Sequence, residues 1–455
     1  MKMRSDLRQH RPAALLAALG ALITAVNLAC AQPLQPEVLA SFNGTNGAYP
    51  EASLTLGNDG NFYGTTDSGG SFGYSGYGTG YGTVFRVTTN GVLTTLVSFD
   101  GTNGAYPQTP LTLGSDGNFY GTISAGTVFR LTTSGVLTTL VTFNRPIGEK
   151  PSALTLGKDG NFYGTTELGG SGNGGMVFRV TTNGVLTTLF SFDGSTNGST
   201  NGASPGGLTL GNDGNFYGTT QSGTVFRVTT NGVLTTLYRG VDFDFFEPNA
   251  LTLGNDGNFY GTTHRGGIYT AGTVFRVTTN GVLTTLYSFG ENTDDWGNII
   301  GGYPYAGLTL GSDGNFYGTT SGFNGSYYED AGTVFQITAN GVLTAQVGFG
   351  LYPWAGLTLG SDGNLYGTTV YGGDHNFGAI YRLRRGAFIQ SFGMATNGFQ
   401  LNILNVGGSG SVVLESSSDL MNWTHIQTNG TAAAQQFLDP TALTQPRQFY
   451  RVRQL

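Results

Sequence analysis

The sequence predicts an all-β protein: a seven-bladed β-propeller of four-stranded blades followed by a small C-terminal β-sandwich. Three observations predict it. A phrase close to Leu-Thr-Leu-Gly-x-Asp-Gly-Asn-Phe-Tyr-Gly begins at Leu54, Leu111, Leu154, Leu208, Leu251, Leu308 and Leu357. Each copy is followed by a second phrase near Gly-Thr-Val-Phe-Arg-Val-Thr-Thr-Asn-Gly-Val-Leu. The copies lie 57, 43, 54, 43, 57 and 49 residues apart, and a period near 50 built from short β-type runs is the length of a propeller blade.

The chain opens with Lys2, Arg4, Arg8 and Arg11, then an uncharged, mostly apolar run over 13–26, then Ala29-Cys30-Ala31. That order reads as a signal peptide over 1–31, cleaved before Gln32. A run of about 14 residues is too short to span a bilayer, which needs roughly 20. Acylation of Cys30 fits less well, because Leu28 stands two residues before the cysteine and not three. Cleavage removes the only cysteine, and with it any disulfide or thiolate chemistry. Four basic residues and Asp6 also leave, taking the net charge from −7 to −10, with 16 basic residues against 26 acidic. So acidic a chain disfavours nucleic acid as a partner. No later apolar span suggests membrane insertion after cleavage.

Within a unit, Asn58-Asp59-Gly60-Asn61 and Asn90-Gly91 lie between β-rich runs. Asp-Gly and Asn-Gly favour tight hairpin turns because those turns need positive φ. Each unit therefore supplies four strands joined by tight, long, tight and long connections. The tight turns gather on one face of the disc, and the variable long connections gather on the other, where binding is expected. Residues 38–42 match the fourth-strand pattern without a blade of their own, so they are expected to complete the last blade and close the ring. Residues 388–392 are the competing candidate. The propeller is expected over 32–385 and the C-terminal β module over 386–455.

The repeated phrases resemble the Gloeo/Verruco tandem repeat of exported bacterial proteins, and the layout of each unit is similar to that of NHL-type blades. The likeness covers roughly residues 38–392. The tail, from Glu415-Ser416-Ser417-Ser418-Asp419-Leu420-Met421-Asn422-Trp423 to Arg447-Gln448-Phe449-Tyr450-Arg451-Val452, looks like a β module that ends such proteins. The resemblance implies fold and export, and it carries no catalytic residue. The ending Val452-Arg453-Gln454-Leu455 departs from the hydrophobic sorting tail of many members.

Repetition separates scaffold from site. A residue present in every blade points the same way seven times, whereas recognition of one ligand atom needs an asymmetric set. Asp59, Asp116, Asp159, Asp213, Asp256, Asp313 and Asp362 are therefore read as turn-formers. Each offers one carboxylate, far short of the six to eight oxygens around calcium. Arg86, Arg130, Arg179, Arg227, Arg276 and Arg382, replaced once by Gln336, are read as a brace onto the turn of each blade.

The irregular residues of the long-loop face are the candidate site. They are Tyr74, Tyr77 and Tyr81; Glu291, Asp294, Asp295 and Trp296; Phe323, Tyr327, Tyr328, Glu329 and Asp330; Trp354; and Tyr371, Asp374 and His375. Aromatic faces beside carboxylates suit sugar rings and also protein partners. His264 and His375 stand in the loops of blades five and seven, and His425 stands in the tail. The expected function is an exported, non-catalytic binding scaffold for extracellular glycan or protein, secreted or at the cell surface, with the periplasm as another destination. No cofactor, metal or catalytic residue is assigned. The alternatives are an extracellular polysaccharide lyase or hydrolase working at the axial opening, and a purely structural surface protein. The sequence leaves the oligomeric state open.

Overall fold

The computed structural model describes residues 35–72, 80–143, 148–194, 201–240, 245–291, 301–321, 332–348 and 352–384, then 388–395, 398–404, 412–417, 422–429, 434–439 and 449–454. The expected signal segment 1–31 lies outside the described residues. So do Tyr74, Tyr77, Asp294, Asp295, Trp296, Phe323, Tyr327, Tyr328, Glu329 and Asp330. Every regular element among the described residues is a strand.

Leu34–Arg384 form one compact unit holding seven antiparallel sheets, the blades of a propeller. In the first blade, Thr55–Leu56 pairs with Phe62–Thr66, which pairs with Thr83–Val87, which pairs with Leu93–Ser98. The innermost strand is only two residues long in six blades, and it lengthens to Pro205–Leu210 in the fourth. Blades three and five add a short strand, Glu149–Pro151 and Phe246–Pro248, on the outer end of the second strand. The seventh blade takes its fourth strand from the N-terminal side, where Gln35–Ser41 pairs with Ala379–Arg384.

Repetition of the phrase has a reason at each position. Gly60 sits at φ 76° in the Asp-Gly turn, a conformation that costs an L side chain strain. Gly64 lies cross-strand from Phe85, and a Cβ there would stand 2.5 Å from the Phe85 ring. The aromatic ring lies over the bare backbone of the neighbouring strand, which only glycine permits. The tyrosine just before this glycine is buried, and its hydroxyl donates to the turn aspartate in all seven blades, at 2.9 Å for Tyr63 and Asp59 and 2.6 Å for Tyr317 and Asp313.

The blades are joined by side chains of the same phrase. Tyr63 packs on Phe119 with ring centroids 4.1 Å apart, and the pattern repeats at Tyr120–Phe162, Tyr163–Phe216, Tyr217–Phe259, Tyr260–Phe316 and Tyr366–Phe62. The Tyr317 junction differs because Leu365 replaces the phenylalanine. A second ring runs through the threonine of Leu-Thr-Leu. Thr55 Oγ1 donates to the Leu111 carbonyl at 2.5 Å, and each innermost strand repeats the bond onto the next blade until Thr358 donates to Leu54 at 2.6 Å. The cycle returns to its starting blade, so the ring is closed. Seven apolar clusters fill the junctions, including one that sets Tyr366 and Ile380 against Phe62 and Phe85.

The C-terminal unit contains two three-stranded antiparallel sheets. One joins Phe388–Ala395, Gly398–Leu404 and Ala434–Asp439; the other places Val412–Ser417 between Thr424–Asn429 and Phe449–Gln454. Phe388–Ala395 thus pairs with Gly398–Leu404 and is not the fourth strand of the seventh blade, which is Gln35–Ser41.

Candidate binding site at the axial mouth

Each blade is entered through an Xaa-Pro step, and this step sets the rim. Tyr49, Tyr106, Lys150, Ser204, Glu247 and Tyr303, each before a proline, adopt φ between 50° and 59°. A non-glycine residue in this region costs of order 1–3 kcal/mol and persists only where its surroundings hold it. Backbone bonds hold it here: Asp67 N–H donates to the Tyr49 carbonyl at 3.0 Å, and Ser321 N–H donates to that of Tyr303 at 3.1 Å.

The residue after the proline leads into the innermost strand, as Glu51 does before Thr55–Leu56, and at Ser152, Gly206 and Asn249 its carbonyl accepts from a threonine of the preceding blade. Thr165 Oγ1 donates to the Gly206 carbonyl at 2.7 Å, and Thr219 Oγ1 to that of Asn249 at 3.1 Å. Around the ring this position holds Glu51, Gln108, Ser152, Gly206, Asn249, Tyr305 and Trp354. The end of the second strand supplies Asp67, Ser124, Glu167, Gln221, His264, Ser321 and Val370. These two positions vary where the rest of the repeat is nearly constant.

The variation is not scattered. Tyr305 and Trp354, in neighbouring blades, stack with centroids 5.4 Å apart. Trp354 meets Tyr371 edge to face at 6.5 Å, and Tyr371 meets Tyr49 at 5.6 Å and Tyr352 at 5.6 Å. At the other end His264 lies 4.2 Å from the Tyr305 ring. An aromatic arc therefore runs from blade five through blades six and seven to blade one.

The arc ends where a polar chain begins. Gln108 Nε2 donates to Asp67 Oδ1 at 3.0 Å, Ser124 Oγ donates to Gln108 Oε1 at 2.7 Å, and Ser68 Oγ donates to Asp67 Oδ2 at 2.7 Å. Glu51 stands half-buried beside this chain. Burial and the Asp67 carboxylate push its carboxyl up to about 7, against a hydrogen bond from Gln108. Burial also pushes the His264 imidazole below its ordinary value, despite the Glu247 carboxylate.

Because the folded value of Glu51 lies above the ordinary 4.5, folding disfavours its ionised form. The penalty is absent below about pH 4.5 and is complete once pH exceeds about 7. Glu51→Gln is therefore expected to raise the melting temperature at pH 8 and leave it nearly unchanged at pH 4. Equal shifts at both pH values would refute this reading.

Of the residues singled out in the sequence, Trp354 and Tyr371 come together in the arc. Tyr81 packs on Tyr106 at 6.1 Å, and Asp374 and His375 are exposed on their loop. The sequence reading did not select Glu51, Asp67, Gln108, Tyr305 or Tyr49. The signal for them was the two variable positions flanking the constant phrase.

The repeated charges lie elsewhere. Asp59 accepts from the Asn61 amide and backbone and from the Tyr63 hydroxyl. Burial opposes ionisation of Asp59, but these bonds outweigh it and hold the carboxyl below its usual range. Arg86 lies cross-strand from Tyr63, as its counterparts do, and Gln336 donates to both Asp313 and the Tyr317 hydroxyl at 3.2 and 2.7 Å. Arg382 instead reaches Glu37 of the closing strand at 2.6 Å. Hydrogen bonds from Arg384 and Arg382 bring the Glu37 carboxyl down to about 2.

The chain matches the Gloeobacter/Verrucomicrobia repeat over residues 24–126, 121–239 and 221–410. It belongs to that repeat family. Two solved structures share the fold of this repeat protein. One is the extracellular domain of a putative hybrid two-component system from B. thetaiotaomicron, at 12% identity and a TM-score of 0.50, covering 93% of this chain and 56% of that one. The repeat protein thus spans little more than half of that domain. The other is the WD40 propeller domain of Doa1, at 12% identity and a TM-score of 0.52, covering 76% of this chain and 97% of that one. No curated protein matches the chain.

Proposed function

We propose that the protein is an exported, non-catalytic binding platform that takes an extracellular glycan on the aromatic arc of its long-loop face. The contiguity of Tyr305, Trp354, Tyr371 and Tyr49 carries this reading. Aromatic faces receive the C–H faces of pyranose rings, and the neighbouring amide and carboxylates serve the hydroxyls. The basic, apolar and small-residue order of 1–31 supports export. The C-terminal strands are read as a small β-sandwich on two three-stranded sheets.

A glycan array probed with wild type and Trp354→Ala tests the reading. Wild type should retain at least one oligosaccharide, and the variant should bind it at least tenfold more weakly, about 1.4 kcal/mol. Binding that survives the substitution unchanged, or no glycan retained by wild type, would count against it.

One observation favours a second reading. Glu51, protonated near neutrality and beside Asp67, has the character of the general acid in glycoside hydrolysis. Depolymerisation of the bound glycan, lost in Glu51→Gln, would establish a hydrolase in place of the platform.

A further inference from the structure

Accepting the glycan reading of the mouth, we propose that its ligand is a cationic amino-sugar chain, one ammonium of which sits between Glu51, Asp67 and the face of Trp354. Three features of the rim lead there. First, neither variable position contributes a lysine or arginine in any blade, whereas Glu51, Asp67 and Glu167 contribute carboxylates. Second, the rim cations near acids are already engaged: Lys150 lies 3.1 Å from Glu167, and Arg265 lies 3.9 Å from Glu247. Among the described residues, Glu51 and Asp67 form no ion pair, and the donors to Asp67 are the neutral Gln108 and Ser68. Third, the pair belongs to the blade next to that of Trp354, and Glu51 stands at the same step of the repeat as Trp354. Among aromatic faces, that of tryptophan attracts cations best.

The surroundings of Glu51 define how this ligand would behave. Asp67 is the charged group facing it from its own blade, and Gln108 is the neutral group facing it from the next. With only acid and amide nearby, Glu51 keeps its proton at mildly acidic pH. An arriving ammonium favours the ionised carboxylate, so binding releases that proton to solvent. A uronic-acid chain would meet two carboxylates and no cation. A neutral chain would gain the aromatic face alone.

The test is calorimetric titration at a pH of about 5.5, where the glucosamine ammonium is charged and Glu51 is protonated. The probes are a glucosamine oligomer, its N-acetylated counterpart and a uronate oligomer, in two buffers of different ionisation enthalpy. The glucosamine oligomer should bind at least tenfold more tightly than the N-acetylated one, with proton release, and the uronate should bind least. Asp67→Asn should erase the preference while weak binding of the N-acetylated oligomer persists, and Trp354→Ala should weaken both. Equal or tighter binding of the N-acetylated oligomer, still sensitive to Trp354, would overturn the cationic assignment and leave the glycan reading standing. No binding of any oligosaccharide would overturn both. A lysine-rich peptide bound more tightly than the glucosamine oligomer would overturn the assignment in favour of a protein ligand.

Discussion

Tyr217→Ala should destabilise the propeller by about 3–5 kcal/mol, the cost of truncating a fully buried aromatic side chain. Tyr217 is 1% exposed, packs on Phe259 of the next blade at 4.1 Å, and donates its hydroxyl to Asp213 at 2.9 Å. The alanine therefore opens a blade junction and frees the turn together. Tyr217→Phe keeps the junction and loses only the hydroxyl, whose acceptor Asp213 is exposed to solvent, so about 0.5–1.5 kcal/mol is expected, the net worth of one hydrogen bond. Denaturant unfolding of the two variants separates the contributions. Similar losses for both would place the stabilisation in the hydrogen bond and not in the stack.

Alkali should unfold the ring through the same tyrosines. Burial first, and then the aspartate that accepts the hydroxyl, push Tyr63, Tyr120, Tyr163, Tyr217 and Tyr260 from 10.0 up to about 12, and Tyr366 moves in the same direction. A folded value above the unfolded one means that the proton is held more tightly in the native state. The contribution is intact below about pH 10 and is lost as pH rises through about 12. Several like groups titrating together make the loss steep. Absorbance of tyrosinate and circular dichroism should therefore change together in one transition above pH 10. Tyrosinate appearing gradually while the fold persists would contradict the shared environment.

The scaffold was legible because its physics is repeated in one dimension. Asp-Gly turns, the glycine under an aromatic ring and the Leu-Thr-Leu strand recur in the same order, so each copy confirms the others. The tyrosine–aspartate bond could not be read in this way, since proximity of residues four apart depends on how the turn folds. The Arg382 partner was equally hidden, because Glu37 lies 345 residues away and meets it only through ring closure. Trp354 and Tyr371 stood out as large aromatic residues outside the repeated phrase. Glu51 and Tyr305, at the same step of the repeat as Trp354, did not, because nothing in the order of residues marks that step as the rim. Ring geometry makes their one position in the repeat into one rim of the mouth, and only then do two adjacent blades acquire opposite chemical character.

The central claim is a division of labour, in which repeated residues hold the ring and the irregular rim recognises the ligand. Paired measurement of melting temperature and oligosaccharide affinity on Tyr217→Phe and Trp354→Ala tests it most directly. The account predicts that the first variant melts lower with unchanged affinity, and that the second loses affinity with little change in melting. Loss of both properties in both variants would contradict it.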